Sequence, residues 1–188
     1  MCRTTDAHPT LPPVTLSALA RRARQVNAAH GFPAWSEDGI PLSAALIHTE
    51  VTEAYLAHLA SDEKALVEEL ADISIRALDT AEGIEPDALR RLHLNMDLSA
   101  IPRTPLDFGY ALLGLHADAS ALTEMYRRPE RMPDPEHPPL DFWVKLVSLI
   151  VEPIRLARFT FDVDLLPVMS AKIDFNATRP LGHGNKRL

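Results

Sequence analysis

The sequence holds one cysteine, Cys2, and so no second thiol with which to close an internal disulfide. Its fold must rest on non-covalent packing, and such thiol usage fits a reducing cytoplasm. A basic excess is also lacking. Nineteen Lys and Arg stand against 26 Asp and Glu, for a net charge of −7. General DNA or RNA binding needs the opposite balance, because phosphate backbones are met by basic surfaces. No apolar run is long enough to span a membrane. The opening residues, MCRTTDAHPTLPPVT, have no apolar signal core, and 1–14 read as a disordered lead-in. Glycine is scarce, at seven residues, and β-branched runs are few, which leaves little material for a sheet.

What is present is ordinary globular composition with helical patterning. At 46% hydrophobic and 24% charged, 188 residues suffice for one domain with a core, or for two small packed repeats. Apolar stripes at helical spacing predict an all-α fold, with helices near 15–30, 41–60, 62–82, 86–97, 105–128, 140–159 and 164–179. Pro41, Pro86 and Pro105 suit first helical positions, where a missing N–H costs nothing. Ser61, Thr104 and Asp164 are expected N-caps. Residues 128–141, RPERMPDPEHPPLD, read as a proline-rich linker. Pro153, inside LVSLIVEPIRLARF, should kink or interrupt its helix.

A faint internal repeat runs through the chain. LIHTEVTEAY (46–55) aligns with GLHADASALT (114–123) at an offset of 68, and ISIRALDTAEGIEPD (73–87) with EPIRLARFTFDVDLL (152–166) at an offset of 79. The second alignment pairs Arg76 with Arg155. The offsets differ by about the length of the linker, as expected for two helical hairpins, 41–97 and 105–179, packed as a pseudo-dimer within one domain over 15–180.

The chemistry concentrates in IHTEVTEA and VEELADISIRALD. Glu50 and Glu53 lie three apart on one predicted helix, and Glu69 and Asp72 three apart on the next. That spacing puts each pair on one helix face. The short turn at Ala60–Ser61 makes the helices antiparallel neighbours, so four carboxylates converge among core positions. Crowding and burial both raise carboxylate pKa values, and a hard cation such as Mg²⁺, with Mn²⁺ as a substitute, relieves them while taking phosphate oxygens. The competing reading is a pair of solvated helix faces. At the other end, in SAKIDFNATRPLGHGNKRL, Lys172, Asn176 and Arg179 sit at i, i+4 and i+7, a row of donors on one face that Pro180 ends. This row is expected to fold back over the carboxylates and hold an anionic substrate; otherwise it is a helix end whose cations favour the negative pole of its own dipole.

These segments, IHTEVTEA, EELADISIRALDTAEGIE and KIDFNATRPLGHGNK, resemble the MazG-like members of the all-α NTP pyrophosphatase superfamily, over roughly residues 41–88 and 165–187. The C-terminal pattern also resembles the tail of dimeric dUTPases. The resemblance implies an Mg²⁺-dependent hydrolase that converts a nucleoside triphosphate, such as dUTP or dCTP, to its monophosphate and pyrophosphate. Glu50, Glu53, Glu69 and Asp72 would be the metal ligands, with Glu50 or Glu53 as general base. Lys172, Asn176 and Arg179 would bind substrate, and Trp35 would line the base pocket or anchor its loop. The chain departs from the pattern at Thr49, where many relatives have a second acid. Its second half has also lost the acids: Ala121 stands opposite Glu53, Ser148 opposite Glu69 and Val151 opposite Asp72, and only Asp118 keeps a carboxylate, opposite Glu50.

Lesser candidates are His48, packed at a helix interface, and His58, His93 and His116, which lack metal-ligand spacing. His183 lies between two glycines, either in a flexible tail over 181–188 or against a phosphate. Arg76, one turn after Asp72, is expected to form an ion pair with it, the alternative being that it meets a phosphate. The expected assembly is a cytoplasmic homodimer, since one helical hairpin cannot bury both its faces and bundles of four are the usual solution. Two alternatives remain at this level: a degenerate module that binds nucleotide or protein without turnover, and a phosphoribosyl-ATP pyrophosphatase.

Overall fold

Local signals and buried stripes resolve into seven helices in the computed structural model, which describes residues 15–32, 39–91, 107–134 and 137–180. They are α1 (Leu16–Ala29), α2 (Gly39–Leu59), α3 (Glu63–Ile84), a single turn α4 (Ala88–Arg91), α5 (Phe108–Tyr126), α6 (Leu140–Phe161) and α7 (Leu165–Ala177). No strand occurs among the described residues, so the fold is all-helical. None of the described helices is long and apolar enough to cross a membrane.

Four of these helices close a ring. α2 packs on α3 and on α5, α6 packs on α3 and on α5, and each neighbouring pair is antiparallel. The ring is the arrangement expected of two helical hairpins, α2–α3 and α5–α6, laid side by side so that each covers the other's apolar face. α3 is its most enclosed member, with 11 of 22 residues buried, because α1 and α7 cover its outer side. Its Leu70, Ile73 and Leu78 share one continuous core with Phe142, Leu146 and Ile150 of α6.

The arginine-rich face of α1 ties it down. Arg22 donates to Ser170 Oγ at 2.9 Å and pairs with Asp174 of α7, and Arg24 lies 3.2 Å from Asp79 of α3. Arg21 reaches Asp87 at 2.9 Å, in the turn after α3.

Several local expectations need correction. The N-cap of α3 is Asp62 and not Ser61. Ser61 adopts a left-handed φ of 54°, which places it in the turn, and the Asp62 carboxylate accepts from Ala65 N at 3.0 Å. The N-cap of α5 is Asp107, which accepts from Tyr110 N at 3.0 Å; Thr104 and Pro105 lie outside the described residues. Asp164 caps α7 as expected, with its carboxylate accepting from Leu166 N. Pro41 is the third residue of α2, not the first, and Pro86 lies in the turn before α4.

Pro153 does not interrupt α6, which runs from Leu140 to Phe161. A proline within a helix loosens the carbonyls of the preceding turn. One of them, Ile150 O, takes a hydrogen bond from the buried Ser74 hydroxyl of α3 at 3.0 Å. Packing against α3 thus holds through the proline what local propensity alone would break. The described residues of the proline-rich connection between α5 and α6 are irregular, yet Met132 among them is buried in the core.

Candidate functional site

The apolar stripe of α2, Ala44, Ile47, Val51 and Ala54, fixes the helix against its neighbours. That register turns Glu50 inward, leaving it 7% exposed. On α3, Leu66, Leu70 and Ile73 are buried in the same way and bring Glu69 and Asp72 round to face it. Glu50, Glu69 and Asp72 each offer a carboxylate oxygen within 4.8 Å of the other two, the one such grouping among the described residues. Glu53 lies outside this trio and is exposed. Its charge still acts on all three.

Two cations partly neutralise the trio. Arg76 Nε donates to Glu50 Oε1 at 3.2 Å, so its partner is Glu50 across the hairpin and not the Asp72 expected one turn away. The antiparallel register explains the exchange, since it sets Arg76 opposite the turn of α2 that carries Glu50. From α7, Lys172 Nζ reaches Asp72 Oδ2 at 2.6 Å and donates to the Glu68 carbonyl at 2.9 Å. The C-terminal row therefore does approach the carboxylates, through Lys172. The helix expected to reach 179 ends at Ala177, so Arg179 lies beyond it and sits over the ring of Phe175, 5.8 Å from its centroid. Asn176, one turn beyond Lys172 on α7, is half-buried. Trp35, His93 and His183 lie outside the described residues.

Burial dominates the electrostatics. It raises the Glu50 carboxyl above its usual range despite Arg76, and raises Asp72 despite Lys172. Glu69 is pushed up to about 7, first by burial and then by the charges of Asp72, Glu50 and Glu53, against the pull of Lys172. Glu69 Oε2 is buried and accepts no hydrogen bond among the described residues. Two positive side chains against three enclosed carboxylates leave one negative charge and one acceptor unmet. A hard divalent cation is the group that this donor set fits.

Beside Arg76 opens a small cavity of about 40 Å³, lined by Arg24, Phe32, Leu42, Ser43, Leu46 and Asp79 among others. As it stands this holds a water or two, and it is not a preformed base pocket beside Arg76.

One feature went unread in the sequence. His48 of α2 and His116 of α5 face each other, Nδ1 to Nδ1 at 2.9 Å, with rings 5.2 Å apart and nearly parallel. The two residues are 68 apart, the offset of the repeat, so the alignment itself carried the signal. His58 stacks on Phe108 at 4.9 Å, a packing role. No protein-family model, curated protein or solved structure matches the chain.

Proposed function

We propose that this chain is a divalent-metal-dependent nucleoside triphosphate pyrophosphohydrolase, with Glu50, Glu69 and Asp72 as the metal ligands. The observation that supports it is the trio itself: three carboxylates within 4.8 Å, one with a buried oxygen that has no hydrogen-bond partner among the described residues. Solvated helix faces would not be enclosed in this way, nor would burial drive their pKa values upward. Mg²⁺ or Mn²⁺ held there supplies the Lewis acidity that phosphoanhydride cleavage requires.

The roles of the side chains follow from their positions. Glu50 is held by Arg76, which suits a ligand of fixed orientation. Glu53, exposed one turn away, is the better placed to take the proton of an attacking water as general base. Lys172 already points at the trio and can meet a phosphate oxygen with a small movement from Asp72. Arg76 on the opposite side balances charge as a phosphate chain arrives. Arg179 and Asn176 would act further out on the phosphate chain or sugar. The choice of dUTP, dCTP or another triphosphate rests on resemblance alone.

A second reading has its own observation. Arg76 and Lys172 already occupy Glu50 and Asp72, as in a module that has replaced its metal by internal ion pairs and binds without turnover. Pyrophosphate release from a panel of canonical and modified nucleoside triphosphates, with Mg²⁺ or Mn²⁺, decides between them. Turnover that disappears in Glu50→Gln and Asp72→Asn supports the hydrolase. A folded wild-type protein inert on the whole panel supports the binding module.

A further inference from the structure

The repeat relates two cavities as well as two hairpins. Leu42, Ser43, Leu46 and Arg76 line the small cavity between Arg76 and Asp79. Their counterparts, 68 residues on for the first three and 79 for the last, are Tyr110, Ala111, Gly114 and Arg155. All four line a second cavity, between α5 and α6. This one has a volume of about 390 Å³ against about 40 Å³ for the first. That is within the range of small-molecule sites. The difference has a visible cause where Leu46 is replaced by Gly114: nothing lies within 4 Å of where a Cβ on Gly114 would stand.

The charges in the second cavity are spent internally. Asp118 accepts from Lys145 at 2.8 Å and from Ser148 Oγ at 2.6 Å. Arg155 makes two hydrogen bonds to the Glu152 carboxylate. With Ser148 and Val151 where the first half has Glu69 and Asp72, the carboxylates that line the cavity, Asp107, Asp118 and Glu152, do not converge as that trio does. Its cations are engaged and do not offer a phosphate site. What it does offer is an open backbone face at Gly114, a phenol ring at Tyr110 that is 77% exposed, and a ring of polar groups that can exchange hydrogen bonds.

We propose that this cavity is a second ligand site, which takes an uncharged nucleoside and neither binds metal nor hydrolyses anything. The planar base lies against the helix at Gly114 and stacks on Tyr110, a contact that tolerates any base. The Asp118 carboxylate and the free lone pairs of Ser148 Oγ accept from its polar edge or from the sugar hydroxyls. The site does not depend on the hydrolase reading, because it needs neither the trio nor a cation.

The test is a calorimetric titration of the full chain, in EDTA, with adenosine, guanosine, cytidine, thymidine and deoxyuridine in turn. At least one should bind saturably with Kd on the order of a millimolar or tighter. Gly114→Leu fills the cavity from a helical position with open space around it. It should weaken binding by about tenfold or more while the melting temperature stays at or above that of the wild type. Tyr110→Ala should weaken binding several-fold, and Glu50→Gln, in the other half, should leave it unchanged. Absence of saturable binding for all five nucleosides overturns the proposal. So does binding that Gly114→Leu leaves intact, or that Glu50→Gln removes, since the latter would place the nucleoside in the carboxylate half.

Discussion

Replacing Glu69 by glutamine keeps the shape of a half-buried side chain and deletes the charge that its surroundings resist most. In the folded protein the Glu69 carboxyl titrates near 7, against 4.5 when free. A group whose folded pKa is raised binds more protons folded than unfolded between those values. Its relative stability is therefore complete below about 4.5 and is lost as pH rises through about 7. Taken in full, the shift corresponds to roughly 3 kcal/mol. Glu69 is partly open to solvent and counter-ions, which reduces this to roughly 1–2 kcal/mol. Glu69→Gln should thus be more stable than wild type at pH 8 in EDTA by that amount. For a chain of this length the gain is roughly 3–6 °C in melting temperature, and it should shrink to nothing near pH 4.5. Metal reverses the order. At a Mn²⁺ concentration about 100 times Kd, linkage adds about 2.7 kcal/mol to the wild type, and the variant should lose most of it. Thermal melts at pH 5 and pH 8, with EDTA and with Mn²⁺, give all four comparisons. A variant that melts with the wild type at pH 8 in EDTA would refute the burial argument. One that gains as much from Mn²⁺ would refute Glu69 as a ligand.

Lys172→Met should destabilise the metal-free protein by about 1.5–3 kcal/mol at pH 8, because Asp72 and the Glu68 carbonyl lose a charged donor. The loss should be smaller in urea unfolding at pH 5, where Asp72 can take a proton, and metal-induced stabilisation should persist. Phe142→Ala, at a fully buried ring in the α3–α6 core, should cost about 3–5 kcal/mol by the same measurement. His116 is held below its ordinary 6.5, first by burial and then by His48. Its contribution is present above that value and lost as pH falls through the folded pKa. His116→Gln should therefore show a shallower loss of stability than wild type between pH 7 and pH 5, and parallel curves would count against the pair.

The helices were legible because their signals are local. Apolar spacing and Asp164 marked α5, α6 and α7 to within a few residues, and the pairing of Glu50 with Glu53 and of Glu69 with Asp72 pointed to the faces that meet. Where local rules disagreed with the fold, packing prevailed. Pro153 should have broken α6, but a helix pinned along α3, with the Ser74 hydroxyl on Ile150 O, continues through it. Which acids converge could not be read from spacing. Glu50 and Glu53 are equivalent in a pattern of threes, and only the crossing of α2 over α3 turns one inward and leaves the other in solvent. Arg76 likewise sits one turn from Asp72 in sequence but is bonded to Glu50, because an antiparallel partner offers a carboxylate at the right height. The sequence by itself determined the helical class and the presence of an acidic pair on each helix of a hairpin. The register between helices, set by how side chains of different volume fill the space between α2, α3 and α7, decided that three of those carboxylates share one enclosed place with Lys172 beside them.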